Sequence, residues 1–177
     1  MRALAEARQR ARKIRRASAV ASVSGWTMAV FAAGTLVGAA FGDMVSLVLG
    51  VGLSLITYNE LRGARLLRQL RPGGARVLGY NQLALGVLIV AYAGWSLVTT
   101  LRSPALASVG STGDPEMDQM ISGLTGVIAY GVYGTIGVLG AIVPGLTSWY
   151  YFSRGRLVRA MIGQTPAWVV ETIRATT

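Results

Sequence analysis

The chain has 177 residues, 53% of them hydrophobic and only 14% charged, with a mean hydropathy of +0.51 and a net charge of +10. A water-soluble domain carries about 25% charged residues, so this balance excludes an ordinary soluble core and surface. The absence of Cys and His excludes disulfides, thiolate catalysis, Cys and His metal sites, His-ligated haem and a His general base.

Charge is segregated along the chain rather than spread over it. Residues 1–16 form a basic segment with seven Arg and Lys residues against Glu6 alone. The apolar run that follows, 17–41, exceeds the 7–15 residues of a secretory h-region, which predicts a retained signal-anchor helix. Leu4, Ala7 and Ile14 are too sparse for a strong apolar stripe, so this arm is expected to set topology and to lie near anionic headgroups. No aromatic residues interleave with its arginines, which argues against nucleic acid as a partner.

Four apolar segments of membrane-spanning length are predicted, at 17–41, 42–61, 77–101 and 119–152, against the roughly 20 residues a span needs. The expected class is an all-α integral membrane protein: a four-helix transmembrane domain, 17–152, between a basic N-terminal segment and an amphipathic tail at 153–177. In the first helix Gly34, Gly38 and Gly42 form a ridge of small residues, the feature that lets helix backbones approach closely in lipid. Gly42-Asp43 is also expected to be the tight turn into the second helix.

An amphipathic elbow at 62–76 joins the second and third helices. Gly63, Leu66, Leu67 and Leu70 share one face, and Arg62, Arg65 and Arg68 lie opposite. Pro72-Gly73-Gly74 is expected to break the helix there. Two near-identical tetrapeptides flank the elbow, Tyr58-Asn59-Glu60-Leu61 and Tyr80-Asn81-Gln82-Leu83, and read as matched interfacial anchors. On that reading Asn81 and Gln82 sit at the interface and are not buried.

An acidic loop, 102–118, follows the third helix. Asp114-Pro115 has the signature of a helix start, with Asp114 as cap. Its acids lack the glycine and terminal Glu of a calcium loop, so no metal is expected. The fourth helix carries a second small-residue ridge, Gly137, Ala141 and Gly145, and an internal Pro144. The aromatic belt Trp149–Phe152 precedes Arg154, Arg156 and Arg159, and Thr165-Pro166 is expected to cap a short amphipathic tail helix.

Sixteen of the 17 basic residues fall in the N-terminal segment, the elbow and the tail, with only Arg102 elsewhere. The positive-inside rule then places both termini and the elbow in the cytoplasm and the acidic loop outside. The cadence of Tyr58–Leu70, and of the tail after the belt, resembles small bacterial membrane proteins; this implies the bacterial inner membrane and no particular activity.

The expected function is a structural or accessory membrane subunit, without catalytic activity or cofactor, that packs with partner subunits as a homo- or hetero-oligomer. Arg62, Arg65, Arg68, Arg154 and Arg156 are the candidate contacts to anionic lipid headgroups. The alternative is a small oligomeric channel or transporter. Against it, the helix cores offer only hydroxyls such as Ser22, Thr27, Ser54 and Ser96, where ion pathways ordinarily keep charged groups. A second alternative, a membrane enzyme, would work from Glu60, Asn81 and the arginine rim, without an evident acid–base pair.

Overall fold

A computed structural model describes residues 2–102 and 114–175, which form helices α1 (Arg2–Ala40), α2 (Met44–Arg68), α3 (Pro72–Arg102), α4 (Pro115–Gln164) and α5 (Ala167–Ala175). Among the described residues there is no strand. Stretches Ala11–Ala40, Met44–Arg68, Pro72–Arg102 and Glu116–Gln164 are long and apolar enough to cross a membrane, with mean hydropathies of 1.5 to 1.8. Most of the acidic loop, 103–113, lies outside the described residues.

The turn from α1 to α2 follows from two residues. Gly42 has φ 90°, a conformation in which a side chain would be strained. Asp43 caps α2: its carboxylate accepts from the Val45 N–H at 3.0 Å and from the Ser46 hydroxyl. The Ser46 hydrogen bond, aided by the backbone, holds the Asp43 carboxyl below its ordinary pKa.

The elbow is built differently from expectation. Pro72 does not end a helix; it opens α3, where its missing N–H costs nothing. The reversal is made at Leu70, a non-glycine residue with φ 56°. The Arg71 N–H donates to the Leu66 carbonyl at 2.9 Å and the Leu70 N–H to the Leu67 carbonyl at 3.0 Å. That pair of bonds is a Schellman termination, with Leu70 in the left-handed position usually held by glycine. Leu70 is 2% exposed, so burial of its side chain offsets the backbone strain, itself about 1–2 kcal/mol.

At the start of α4 the Asp114 carboxylate accepts from the Glu116 N–H at 3.0 Å, as the Asp-Pro signature predicts. Helix α5 begins one residue later than expected, with the Pro166 carbonyl accepting from Val169 and Val170.

The described chain falls into two compact units. The first comprises residues 1–85 and 145–177. Its core joins Ala11, Ile14, Ala17 and Ala21 of α1 to Ala64 and Leu67 of α2, with Leu70, Ala75, Leu78, Tyr151, Val158, Met161 and Val169. From Ala11 onward the N-terminal arm is therefore packed, contrary to the sparse stripe read from its sequence. The stripe is there, but written mainly in alanine. Ser18 ties it further, donating to the Ala64 carbonyl at 2.8 Å. The second unit, 86–144, pairs parts of α3 and α4. Pro144 cannot donate to the Gly140 carbonyl, and Gly86 lies against it: a Cβ there would stand 3.1 Å from that oxygen. Large side chains along the apolar stretches, among them Val30, Phe31, Val87, Val127 and Leu146, are exposed.

Candidate functional site

The short Schellman turn folds α3 back along α2. Glu60 stands ten residues before Leu70, and Asn81 ten residues after Arg71, so the two tetrapeptides meet across the hairpin. Glycine permits the close fit. A Cβ at Gly63 would lie 2.7 Å from the Leu78 side chain, and one at Gly74 would lie 2.6 Å from the Leu67 backbone nitrogen.

Glu60 is 0% exposed. Its Oε2 accepts from Asn81 Nδ2 at 2.7 Å, and its Oε1 accepts from Gln82 Nε2 at 3.1 Å and from the Tyr151 hydroxyl at 3.4 Å. Asn81 Nδ2 also donates to the Ile56 carbonyl at 2.9 Å. The three donors come from α3 and α4, so one carboxylate joins three helices. Beside it, Ser148 of α4 donates to the Gly79 carbonyl of α3 at 2.9 Å. A carboxyl group buried among apolar helices is costly unless its oxygens are satisfied, and here both accept.

This corrects two expectations. Asn81 and Gln82 are 5% and 4% exposed, buried rather than interfacial, because the hairpin turns them toward α2. The interior is also not limited to hydroxyls, since Glu60 lies within the apolar stretch Met44–Arg68. Thr27 and Ser54 are satisfied by their own helix, bonding the Val23 and Gly50 carbonyls. Sequence reasoning named Glu60 and Asn81 but missed Tyr151, which no local pattern connects to them. The matched spacing of the tetrapeptides about Leu70-Arg71 was the available signal.

The five candidate headgroup arginines do not form one cluster. Arg62, Arg65 and Arg68 are exposed on α2, the first two beside a groove of about 360 Å3 with Tyr58 and Leu66. Arg154 turns inward, its guanidinium 4.5 Å from the Tyr150 ring centroid, a cation–π distance. Its Nε is buried without a hydrogen-bond partner. Arg156 lines a separate cavity.

Of the candidate packing residues, Gly38 faces Ser46, whose hydroxyl would be 3.1 Å from a Cβ there, and Gly137 faces Ala93 at an ordinary 3.7 Å. Gly34, Gly42 and Gly145 have no described atom within 4 Å of such a Cβ, and Ala141 is exposed. The tight approaches lie at other glycines. A Cβ at Gly25 would stand 2.8 Å from Leu61, one at Gly50 would stand 2.7 Å from Leu36, and one at Gly140 would clash with the Ile89 side chain.

Comparison with known proteins finds no matching family, no matching curated protein and no matching solved structure.

Proposed function

We propose that the chain is an integral membrane protein of four spanning helices that serves as a structural or accessory subunit, with no chemistry of its own. The observation that carries this reading is the Glu60 clasp. Its carboxylate is shielded, and three donors of the same chain occupy its oxygens, so it acts as a joint and not as a group presented to a ligand. The exposed apolar faces of the long helices support burial in lipid. The placement of 16 of 17 basic residues in the N-terminal arm, elbow and tail supports an orientation with both termini inside, and the bacterial inner membrane is proposed on the sequence cadence alone. Exposed Ala141 on α4 suits contact with a second copy or another subunit.

Mild-detergent extraction from native membranes is expected to retain the chain in an assembly larger than a monomer. Ala141→Leu should break that assembly without lowering thermal stability. A monodisperse monomer that conducts protons or ions in proteoliposomes would refute the reading. The channel or transporter alternative is kept by one observation: Glu60 is an ionisable residue within an apolar helix, a common mark of ion pathways. Flux that Glu60→Gln abolishes while the fold survives would establish it.

A further inference from the structure

We propose that the cavity between the start of α3 and the last third of α4 is a site for a phosphate group, the chemistry shared by a phospholipid headgroup and free phosphate. The proposal rests on the membrane reading above only for which of these sources fills it. The cavity, of about 240 Å3, is lined by Arg76, Arg156 and Arg159, with Pro72, Ala75 and Phe152 as its apolar walls. A cavity of that volume has room for a phosphate and its immediate hydration.

The three arginines arrive there for separate reasons. Arg156 and Arg159 are three residues apart on α4 and therefore share a face. Arg76 is carried in by α3, which packs closely because residue 155 is glycine: a Cβ there would stand 3.2 Å from the Ala75 methyl. Among the described residues none of the three side chains makes an ion pair or hydrogen bond. Arg76, Arg156 and Arg159 are all exposed, so water screens their mutual repulsion, but three permanently charged side chains lining one cavity favour an anion there, and their forked donors match phosphate oxygens. No such concentration of cations serves the packing of α3 on α4, which Ala75, Gly155, Gly79 and Ser148 already provide.

The apolar wall is fixed. The Phe152 ring lies over Gly79, where a Cβ would stand 2.6 Å from it, and meets the Tyr80 ring edge-on with centroids 5.4 Å apart. Tyr80 is 65% exposed, so the wall continues from the cavity onto an outer aromatic surface. Cations beside an aromatic face that runs onto an apolar helix suit a phosphodiester with acyl chains attached.

The test uses the full chain, purified and delipidated, titrated with phosphatidylglycerol or phosphatidylcholine and read by native mass spectrometry. Wild type should retain one phosphatidylglycerol in preference to phosphatidylcholine. Arg76→Gln/Arg159→Gln should weaken that retention about 30-fold, from about 1 kcal/mol per basic residue. Arg12→Gln/Arg16→Gln removes equal charge from exposed positions of α1 and should weaken it clearly less. Equal loss in the two pairs would overturn the site in favour of diffuse attraction. If inorganic phosphate displaces the lipid from wild type, free phosphate is the source; if the lipid resists, the headgroup is. Binding of neither overturns the proposal. Should the double variant unfold, Arg159→Gln alone decides. Carbonate extraction of the wild-type chain reports membrane insertion independently, so failure there is distinguishable from failure of the site.

Discussion

Replacing Glu60 by Leu removes the carboxylate and leaves its donors in place. Asn81 Nδ2 keeps its bond to the Ile56 carbonyl but loses the 2.7 Å bond to Glu60, and Gln82 Nε2 loses its 3.1 Å bond. Each buried donor left unpaired costs about 1–3 kcal/mol; the Tyr151 contact, at 3.4 Å, adds little. The expected destabilisation is about 2–6 kcal/mol, large against the 5–15 kcal/mol that holds a typical domain. Glu60→Gln should cost much less. Its oxygen can stay on Asn81, while its NH2 faces Gln82 and Tyr151, and both of these can turn to accept. Adding Asn81→Leu and Gln82→Leu to Glu60→Leu should recover part of the loss, since orphaned donors and not lost bonds dominate the cost. Unfolding in mixed detergent micelles, followed by tryptophan fluorescence, measures all four proteins. If Glu60→Leu lies within about 0.5 kcal/mol of wild type, the size expected of an uninvolved surface change, the clasp has no structural role.

At the elbow, Leu70→Gly relieves the left-handed backbone but empties a buried position, and Leu70→Ala keeps the strain as well. Both should destabilise, Ala more than Gly by about 1 kcal/mol, in the same unfolding assay. Gly74→Ala drives a Cβ against the Leu67 nitrogen and should be strongly destabilising, whereas Gly34→Ala meets nothing and should be neutral or raise stability by up to about 1 kcal/mol. The Asp43 cap has a lowered folded-state pKa, so its contribution is present above the unfolded value, near 3.8, and is lost as pH falls through the folded one. Asp43→Asn should flatten that acid limb of a stability–pH curve. Cysteine at Gly73 should be labelled from the inside of intact cells and cysteine at Glu116 from the outside; the reverse pattern would invert the proposed orientation.

What was legible in the sequence is what depends on local chemistry. Long uncharged runs, the Gly42-Asp43 turn and the Asp114-Pro115 cap each act within a few residues, and each is where the pattern put it. The elbow departs from expectation because Pro can either end a helix or begin one, and only the neighbouring backbone decides. A left-handed Leu70 has no sequence signal at all; the conformation is tolerated because the side chain is buried. The tetrapeptides look interfacial in sequence because Tyr, Asn and Gln suit an interface. Their burial follows from register, which depends on where the hairpin turns, and it turns at Leu70, ahead of Pro72.

The position of the core gives the reason the fold needs a clasp. Its buried members gather at the arginine-bearing ends of the helices, around Ala11–Ala21, Ala64–Leu78 and Tyr151–Val169. The buried share of the apolar windows is only 11 to 22%. On the proposed membrane reading, an apolar side chain in lipid gains little by facing another helix instead of an acyl chain, so hydrophobic burial would organise only the end near water. There Ile14→Ala should cost about 2–5 kcal/mol, while Val30→Ala, at 71% exposure, should cost almost nothing. Farther in, association must come from close backbone approach and from polar groups that have no other partner. The glycine contacts at Gly25 and Gly50 supply the first, and Glu60, at the boundary between the two regimes, supplies the second. If Ile14→Ala and Val30→Ala prove equally mild, the packing near the arginines is not what holds the first unit together, and the clasp would have to carry it alone.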